Sequence, residues 1–135
     1  MPAVKSRAVP KKTSAQKRAV SATASASPHR SPCPIACSLD VLGDRWTLLV
    51  IRDLLFGRSR FRDFAASPEG IPTNILSERL TRLVGHGIAE RIPAGDGAKH
   101  LAYRLTKKGT ALGPVLRELR DWGLAWDKST RAMVK

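Results

Sequence analysis

Six polar residues recur along one stretch of this chain at the spacing of a helix face: Thr73, Asn74, Ser77, Glu78, Thr81 and Arg82. What they offer is hydrogen bonding: small hydroxyls, an amide that both donates and accepts, a carboxylate and a guanidinium. With Leu76 set at 0° and 100° per residue, Leu76, Leu80 and Leu83 fall within about 60° and face a core. Asn74, Ser77, Glu78, Thr81 and Arg82 fall on the other side. Small donors and acceptors with an arginine can read base edges in the major groove of double-stranded DNA without steric bulk. The first turn, with Thr73, Asn74 and Ser77, is where a helix of this kind reads most, and its unpaired backbone N–H groups suit a phosphate. Taken alone the pattern also fits a plain solvated face, so the flanking elements decide.

Those elements are legible. Pro34 opens a first helix through Ile35, Leu39 and Leu42, ended by Gly43. Asp44 is a good N-cap for a second helix from about Arg45 to Phe56, with an apolar face of Trp46, Leu49, Val50, Leu54 and Leu55. Arg58–Arg60 is a short extended stretch. Phe61, Phe64 and Ala65 mark a short helix that stops before Pro68, and residues 69–72 turn into the polar-faced helix, which Thr73 or Asn74 caps or opens. Gly85 and Gly87 around His86 end it with a left-handed residue. Ile88–Ile92 and Leu101–Leu105 alternate as two strands around a tip from Pro93 to Gly97. Thr106 caps a final helix, which Pro114 bends or restarts. The fold class is therefore mainly α with a small β-hairpin, in the layout of a winged helix-turn-helix.

Charge points the same way. Lys and Arg number 24 against 11 Asp and Glu, a net charge of +13. Seven of these charges come from residues 1–32, which hold Lys5, Arg7, Lys11, Lys12, Lys17, Arg18, Arg30 and no acid. Rich in Ala, Ser, Pro and Lys, that segment is read as a disordered basic tail, either an arm for DNA phosphates or a solvated tail with no role beyond solubility. Its lack of acids also resembles an organelle transit peptide, though its prolines interrupt any amphipathic helix. The folded domain is expected over residues 33–127, with a frayed end at 128–135. Arg60, Arg62, Lys107 and Lys108 open helices and are candidate phosphate contacts, which orient a domain without specifying sequence. Lys99 and His100 on the wing are candidates for a phosphate or a minor groove. No apolar run reaches the roughly 18 residues that a membrane span needs, so a cytoplasmic chain lying on the bacterial nucleoid is expected.

Enzyme chemistry finds little support. No glycine-rich phosphate loop follows a strand, no His-Glu-x-x-His motif occurs, and His29, His86 and His100 lack a carboxylate at catalytic spacing. No cofactor and no metal are expected, because Pro32 and Pro34 break the helical spacing of His29, Cys33 and Cys37. The two cysteines do not make a disulfide framework. Cys33 stands at a helix N-terminus, which stabilises a thiolate, and is the candidate for sensing oxidants.

Taken together, Cys33-Pro34 with Leu39 and Gly43, Asp44-Arg45-Trp46-Thr47-Leu48-Leu49, Arg52-Asp53-Leu54, Arg60-Phe61, Phe64, Ile71, Asn74-Ile75-Leu76-Ser77-Glu78-Arg79-Leu80, Gly87-Ile88, Tyr103-Arg104-Leu105-Thr106 and Gly109 resemble the HxlR-type family of bacterial winged-helix transcription regulators. The resemblance runs from Cys33 to Trp126. It implies a homodimer paired through the first and last helices, binding a palindromic operator. Ile35 and Leu39, with Leu116, Leu119, Trp122 and Trp126, would supply the seam. It also implies a repressor that answers a thiol oxidant or a small molecule. The competing reading is a sequence-neutral architectural DNA- or RNA-binding protein.

Overall fold

The computed structural model describes residues 30–95 and 101–132. The basic tail up to residue 29 lies outside them, as do Lys99 and His100. The chain divides into two units, Met1–Val41 and Leu42–Lys135. The first carries helix α1, Pro34–Leu42, which buries none of its residues. Cys33 precedes it and Pro34 takes the first turn. Arg30 reaches Asp40 on the helix at 2.8 Å. Ile35 and Leu39 are exposed.

The second unit is built around α2, Thr47–Leu55. The Thr47 N–H donates to the Asp44 carboxylate at 3.3 Å, so Asp44 caps the turn that leads into the helix. α2 packs against the second strand and two other helices, which is why its burial is wider than one stripe. Ile51 is fully buried, and so is Asp53 at 2% exposure, whereas Trp46, Leu49 and Leu55, expected inside, are only half-buried. Helix α3, Phe61–Ala65, is opened by Asp63, whose carboxylate accepts from the Arg60 N–H at 3.0 Å and the Ser59 N–H at 3.3 Å.

After the turn at Gly70 comes α4, Thr73–Gly85, with Leu76, Leu80 and Leu83 buried as the spacing predicts. Thr73 opens this helix but does not cap it. Pro72 holds the cap position in extended conformation and no side chain bonds there. The helix ends with Gly87 left-handed at φ +71°. The Ile88 N–H bonds to the Leu83 carbonyl at 2.9 Å and the Gly87 N–H to Val84 at 3.0 Å, a Schellman motif that brings two buried apolar residues together.

Strands β1, Ala89–Pro93, and β2, Leu101–Leu105, pair antiparallel with Ala89 opposite Leu105 and Ile92 opposite Ala102. The expected alternation in β2 weakens toward the tip, where Leu101 is half exposed and Ala102 is buried. The extended stretch before α3 joins this ribbon, since the Tyr103 N–H donates to the Ser59 carbonyl at 2.8 Å. The last helical region restarts at Pro114, giving a single turn α5, Lys107–Thr110, and then α6, Gly113–Trp126. Thr106 caps α5 by accepting from the Gly109 N–H at 3.2 Å.

Gly109 is the tightest contact between α5 and the ribbon. A Cβ there would lie 2.2 Å from the Ile88 carbonyl oxygen and 2.8 Å from a Leu105 methyl. Backbone cannot swing aside as a side chain does. Gly109→Ala is expected to cost about 2 kcal/mol, read as a fall in Tm of roughly 10 °C for a folded region of this size. A melting curve unchanged by the substitution would show that α5 is free to shift.

Candidate nucleic-acid interface

The helix-turn-helix is α3, the Ala66–Pro72 loop and α4. On α4 the residues expected to meet DNA stand outward: Thr73, Asn74, Ser77, Glu78 and Thr81 are exposed and Arg82 is half-buried. Ser77 and Thr81 are brought together, the Thr81 hydroxyl donating to the Ser77 carbonyl at 3.0 Å. That bond uses the hydroxyl proton and leaves oxygen lone pairs to accept from a base. Glu78 pairs with the neighbouring Arg79. Leu76 makes the first intrahelical bond, to the Pro72 carbonyl at 2.9 Å, so the N–H groups of the first turn ahead of it point out of the helix end.

The basic candidates take two kinds of place. Arg62, Lys107 and Lys108 are exposed and Arg60 is half-buried. Arg60 Nη2 donates to the Ala94 carbonyl at 3.2 Å, tying the start of α3 to the wing. Lys108 Nζ donates to the His86 carbonyl at 2.7 Å, placing its charge at the C-terminal end of α4, where the helix dipole favours a cation. Arg60 therefore braces the start of α3 against the wing, and Lys108 braces α5 against the end of α4. The wing is further held by Tyr103, whose ring meets Phe64 of α3 edge-on at 6.3 Å and lies under the Arg91 guanidinium at 5.9 Å.

This geometry, two short-linked helices with an outward polar face and a paired ribbon, agrees with the family that residues 41–131 match. The profile of the HxlR-like helix-turn-helix family covers residues 41–131. The chain belongs to that family.

Among its relatives, the uncharacterized HTH-type transcriptional regulator YvaP of Bacillus subtilis is 35% identical over 89 residues, covering 66% of this chain and 82% of YvaP. A solved structure of PA1607, described as a putative transcription factor, superposes with a TM-score of 0.70 at 43% identity, covering 78% of this chain and 76% of that one. The transcriptional regulator YodB of B. subtilis in its reduced form superposes with a TM-score of 0.60 at 31% identity, covering 75% of this chain and all of YodB. YodB has also been solved after diamide treatment and with quinone bound. The HxlR-type chain is thus a winged-helix transcription regulator by family, and no helix among its described residues is long and apolar enough to cross a membrane.

What aims α4 in this HxlR-type domain went unread in the sequence. Asp53, buried on α2, accepts from Arg52 at 2.9 and 3.0 Å and from Arg58 Nη1 at 2.8 Å, and its other oxygen accepts from the Ser67 hydroxyl. Arg52 in turn grips Glu69 with both nitrogens, at 2.8 and 2.9 Å. Asp44 binds Arg79 of α4. Ser67 and Glu69 sit in the loop that enters α4, so the network fixes where that helix begins. The spacing Arg52-Asp53 with Arg58 was visible, but the partners at Ser67 and Glu69 are set by tertiary packing.

The carboxylates respond accordingly. The Arg52 guanidinium holds the Glu69 carboxyl below the usual carboxylate range, outweighing its partial burial. At Asp44 burial pulls upward, but hydrogen bonds from Thr47 and Arg79 together win and lower it. A carboxyl held low in the folded chain stabilises it above the unfolded value, near 4.5 for Glu69, and that contribution is lost as pH falls through the folded value. Wild type should therefore melt above Glu69→Gln at about pH 6, with the gap closing below about pH 4. A gap of constant size across that range would show that the pair with Arg52 contributes nothing to stability.

Proposed function

We propose that this chain is a sequence-specific DNA-binding regulator that acts as a repressor on a palindromic operator. The observation that carries the reading is the outward face of α4, where Asn74, Ser77 and Thr81 stand exposed on a helix whose start is fixed from behind by Asp53 and Glu69. In this reading Thr73, Asn74 and Ser77 read bases, with Glu78, Thr81 and Arg82 following along the groove. Arg62 and Lys107 lie along the phosphates, Arg60 and Lys108 add their charge there while bonded to Ala94 and His86, and Lys99 and His100 carry the wing contact. The chain works by binding and not by catalysis.

A twofold dimer supplies the symmetry of the operator. It is supported by apolar surface that the single chain leaves uncovered: Leu119, Trp122 and Trp126 are 51%, 66% and 76% exposed on α6, and Ile35 is 71% exposed on α1. Scattered exposed leucines are ordinary, but two tryptophans one turn apart at this exposure are the mark of an interaction surface.

Selection of genomic fragments by the full chain, followed by sequencing and a titration at fixed salt, tests the whole reading. Enriched sites should carry twofold symmetry. Asn74→Ala and Ser77→Ala should each cost on the order of 1–3 kcal/mol on the selected duplex and relax its sequence preference. Lys107→Ala should weaken selected and random DNA alike and flatten the salt dependence. If no sequence is enriched over random DNA, the chain is a sequence-neutral binder; if enriched sites lack symmetry, the dimer is wrong.

A thiol response is proposed at Cys33, which is exposed at the start of α1, its N–H bonded to the Ser31 hydroxyl at 3.2 Å. Cys37 is more enclosed, its Sγ donating to the Ser31 carbonyl at 3.2 Å. The reduced, diamide-treated and quinone-bound forms of YodB support a signal of this class. Diamide should change the affinity of the wild-type chain for the selected duplex, and Cys33→Ser should abolish the change. A variant that still responds would remove Cys33 from the signal.

A further inference from the structure

Beside α2 and α6 lies a groove of about 580 Å³, within the range of roughly 300–1,000 Å³ usual for small-ligand sites. Its wall is apolar, with Leu49 and Leu55 from α2, Phe56 just after it, and Leu116 and Leu124 from α6. Arg52, Arg117, Arg120 and Arg131 also line it, and no acidic residue does. Arg120 pairs with Asp121 at the surface; among the described residues neither Arg117 nor Arg131 has an ion-pair partner. An apolar wall with a one-sided positive rim fits an amphipathic anion, whose carboxylate takes paired guanidinium bonds while its body covers the leucines.

A second copy of the chain has a different strip to cover. At 100° per residue along α6, Val115, Leu119, Trp122 and Trp126 fall within about 60° of one another. The groove-lining Gly113, Leu116, Arg120 and Gly123 centre roughly 110° away. Leu119 borders both, and Leu116, expected in the seam, is half-buried on the groove side instead. The charge asymmetry belongs to the groove and the tryptophans to the other strip.

Arg52 links the groove to the reading head, because it lines the groove while its guanidinium is held by Asp53 and, on both nitrogens, by Glu69. We propose that the groove binds an amphipathic carboxylate whose head group competes with Glu69 for Arg52, loosening the Ala66–Pro72 loop that aims α4. The ligand is an inducer in that scheme. Only this last step rests on the DNA-binding reading; ligand capture and loop loosening are properties of the chain alone.

The probe is decanoate, with decan-1-ol as the same chain without the charge, titrated calorimetrically into the full chain in the absence of DNA. Decanoate should bind at one site per chain and decan-1-ol at least about tenfold more weakly, the equivalent of one lost charged contact. Replacing the rim, Arg117→Gln with Arg120→Gln, should weaken decanoate by about tenfold. Hydrogen exchange of the amides from Ser67 to Leu76 should speed up on adding decanoate. Glu69→Gln should act in the opposite direction to the rim variants: with the competitor gone, decanoate binds several-fold more tightly and the loop no longer responds, as reciprocal coupling requires. On the selected duplex, decanoate should lower the affinity of the wild type about tenfold and leave Glu69→Gln unchanged. Equal binding of decanoate and decan-1-ol, no binding, or a Glu69→Gln variant that binds decanoate as the wild type does would each overturn the proposal. If the chain prefers no DNA sequence, the regulator reading falls while calorimetry and exchange still decide the groove.

Discussion

The buried carboxylate of Asp53 is the constraint on which the reading head depends. A charge at 2% exposure is tolerated only when its lost hydration is replaced in full, and a partner removed from such a site costs several kcal/mol. Here the replacement comes from three separate places in the sequence. Arg52 precedes it on the same helix, Arg58 follows the helix end, and Ser67 lies beyond α3. Each partner is obliged to stay, so the segment between α2 and α4 is closed into a loop of fixed shape. A hydrophobic residue at this place would bury as much surface but would not specify which side chains come to it. The arrangement gains position at some expense in stability, a reasonable exchange where a helix must meet a groove at a set angle.

Positive charge in this domain is divided between two tasks. Arg52, Arg58, Arg60, Arg79 and Lys108 all bond to other parts of the chain. Arg52 joins α2 to the loop before α4, Arg58 folds back from just past α2 onto Asp53 near its end, Arg60 joins the start of α3 to the wing, Arg79 joins α4 to the turn ahead of α2, and Lys108 joins α5 to the end of α4. Arg62 and Lys107 stand exposed. The net charge alone invites the view that every cation waits for a phosphate. The contacts show instead that several of them shape the surface on which the remainder are displayed.

How far this was legible follows from which interactions are local. The buried stripe of α4, the Schellman ending at Gly87, the Thr106 cap and the restart at Pro114 all depend on residues within one or two turns, and each was read from spacing. On α2 a wide apolar face was read, with Val50 and Leu54 buried as expected, but Ile51 and Asp53 were left off it. A helix packed on one side shows a stripe, but α2 is covered from several sides, so Ile51 and Asp53 go inside and Trp46 is left half out. For the same reason the outward residues of α4 could be named while the network that aims them could not. Asp53 and Ser67 are 14 residues apart, Arg52 and Glu69 are 17 apart, and no periodicity connects them. An unpaired Asp in the middle of an apolar helix was the signal available, since such a residue has to find donors somewhere.

Arg52 is where the two halves of this picture meet. Its guanidinium completes the shell of Asp53 and clamps Glu69, while the same residue lines the groove beside α6. Its two roles are not independent. The bond to Glu69 is partly open to water, with the carboxylate side chain 33% exposed, whereas the bond to Asp53 is enclosed at 3%. Water reaches the outer bond and not the inner one, so the outer bond is the one a competing carboxylate can exchange with. Anything that pulls on Arg52 from the groove therefore strains the Glu69 contact first and leaves the Asp53 shell standing. The fold can then yield at the loop that places α4 without losing the core beneath it, which is the property a switch needs and a purely structural ion pair does not.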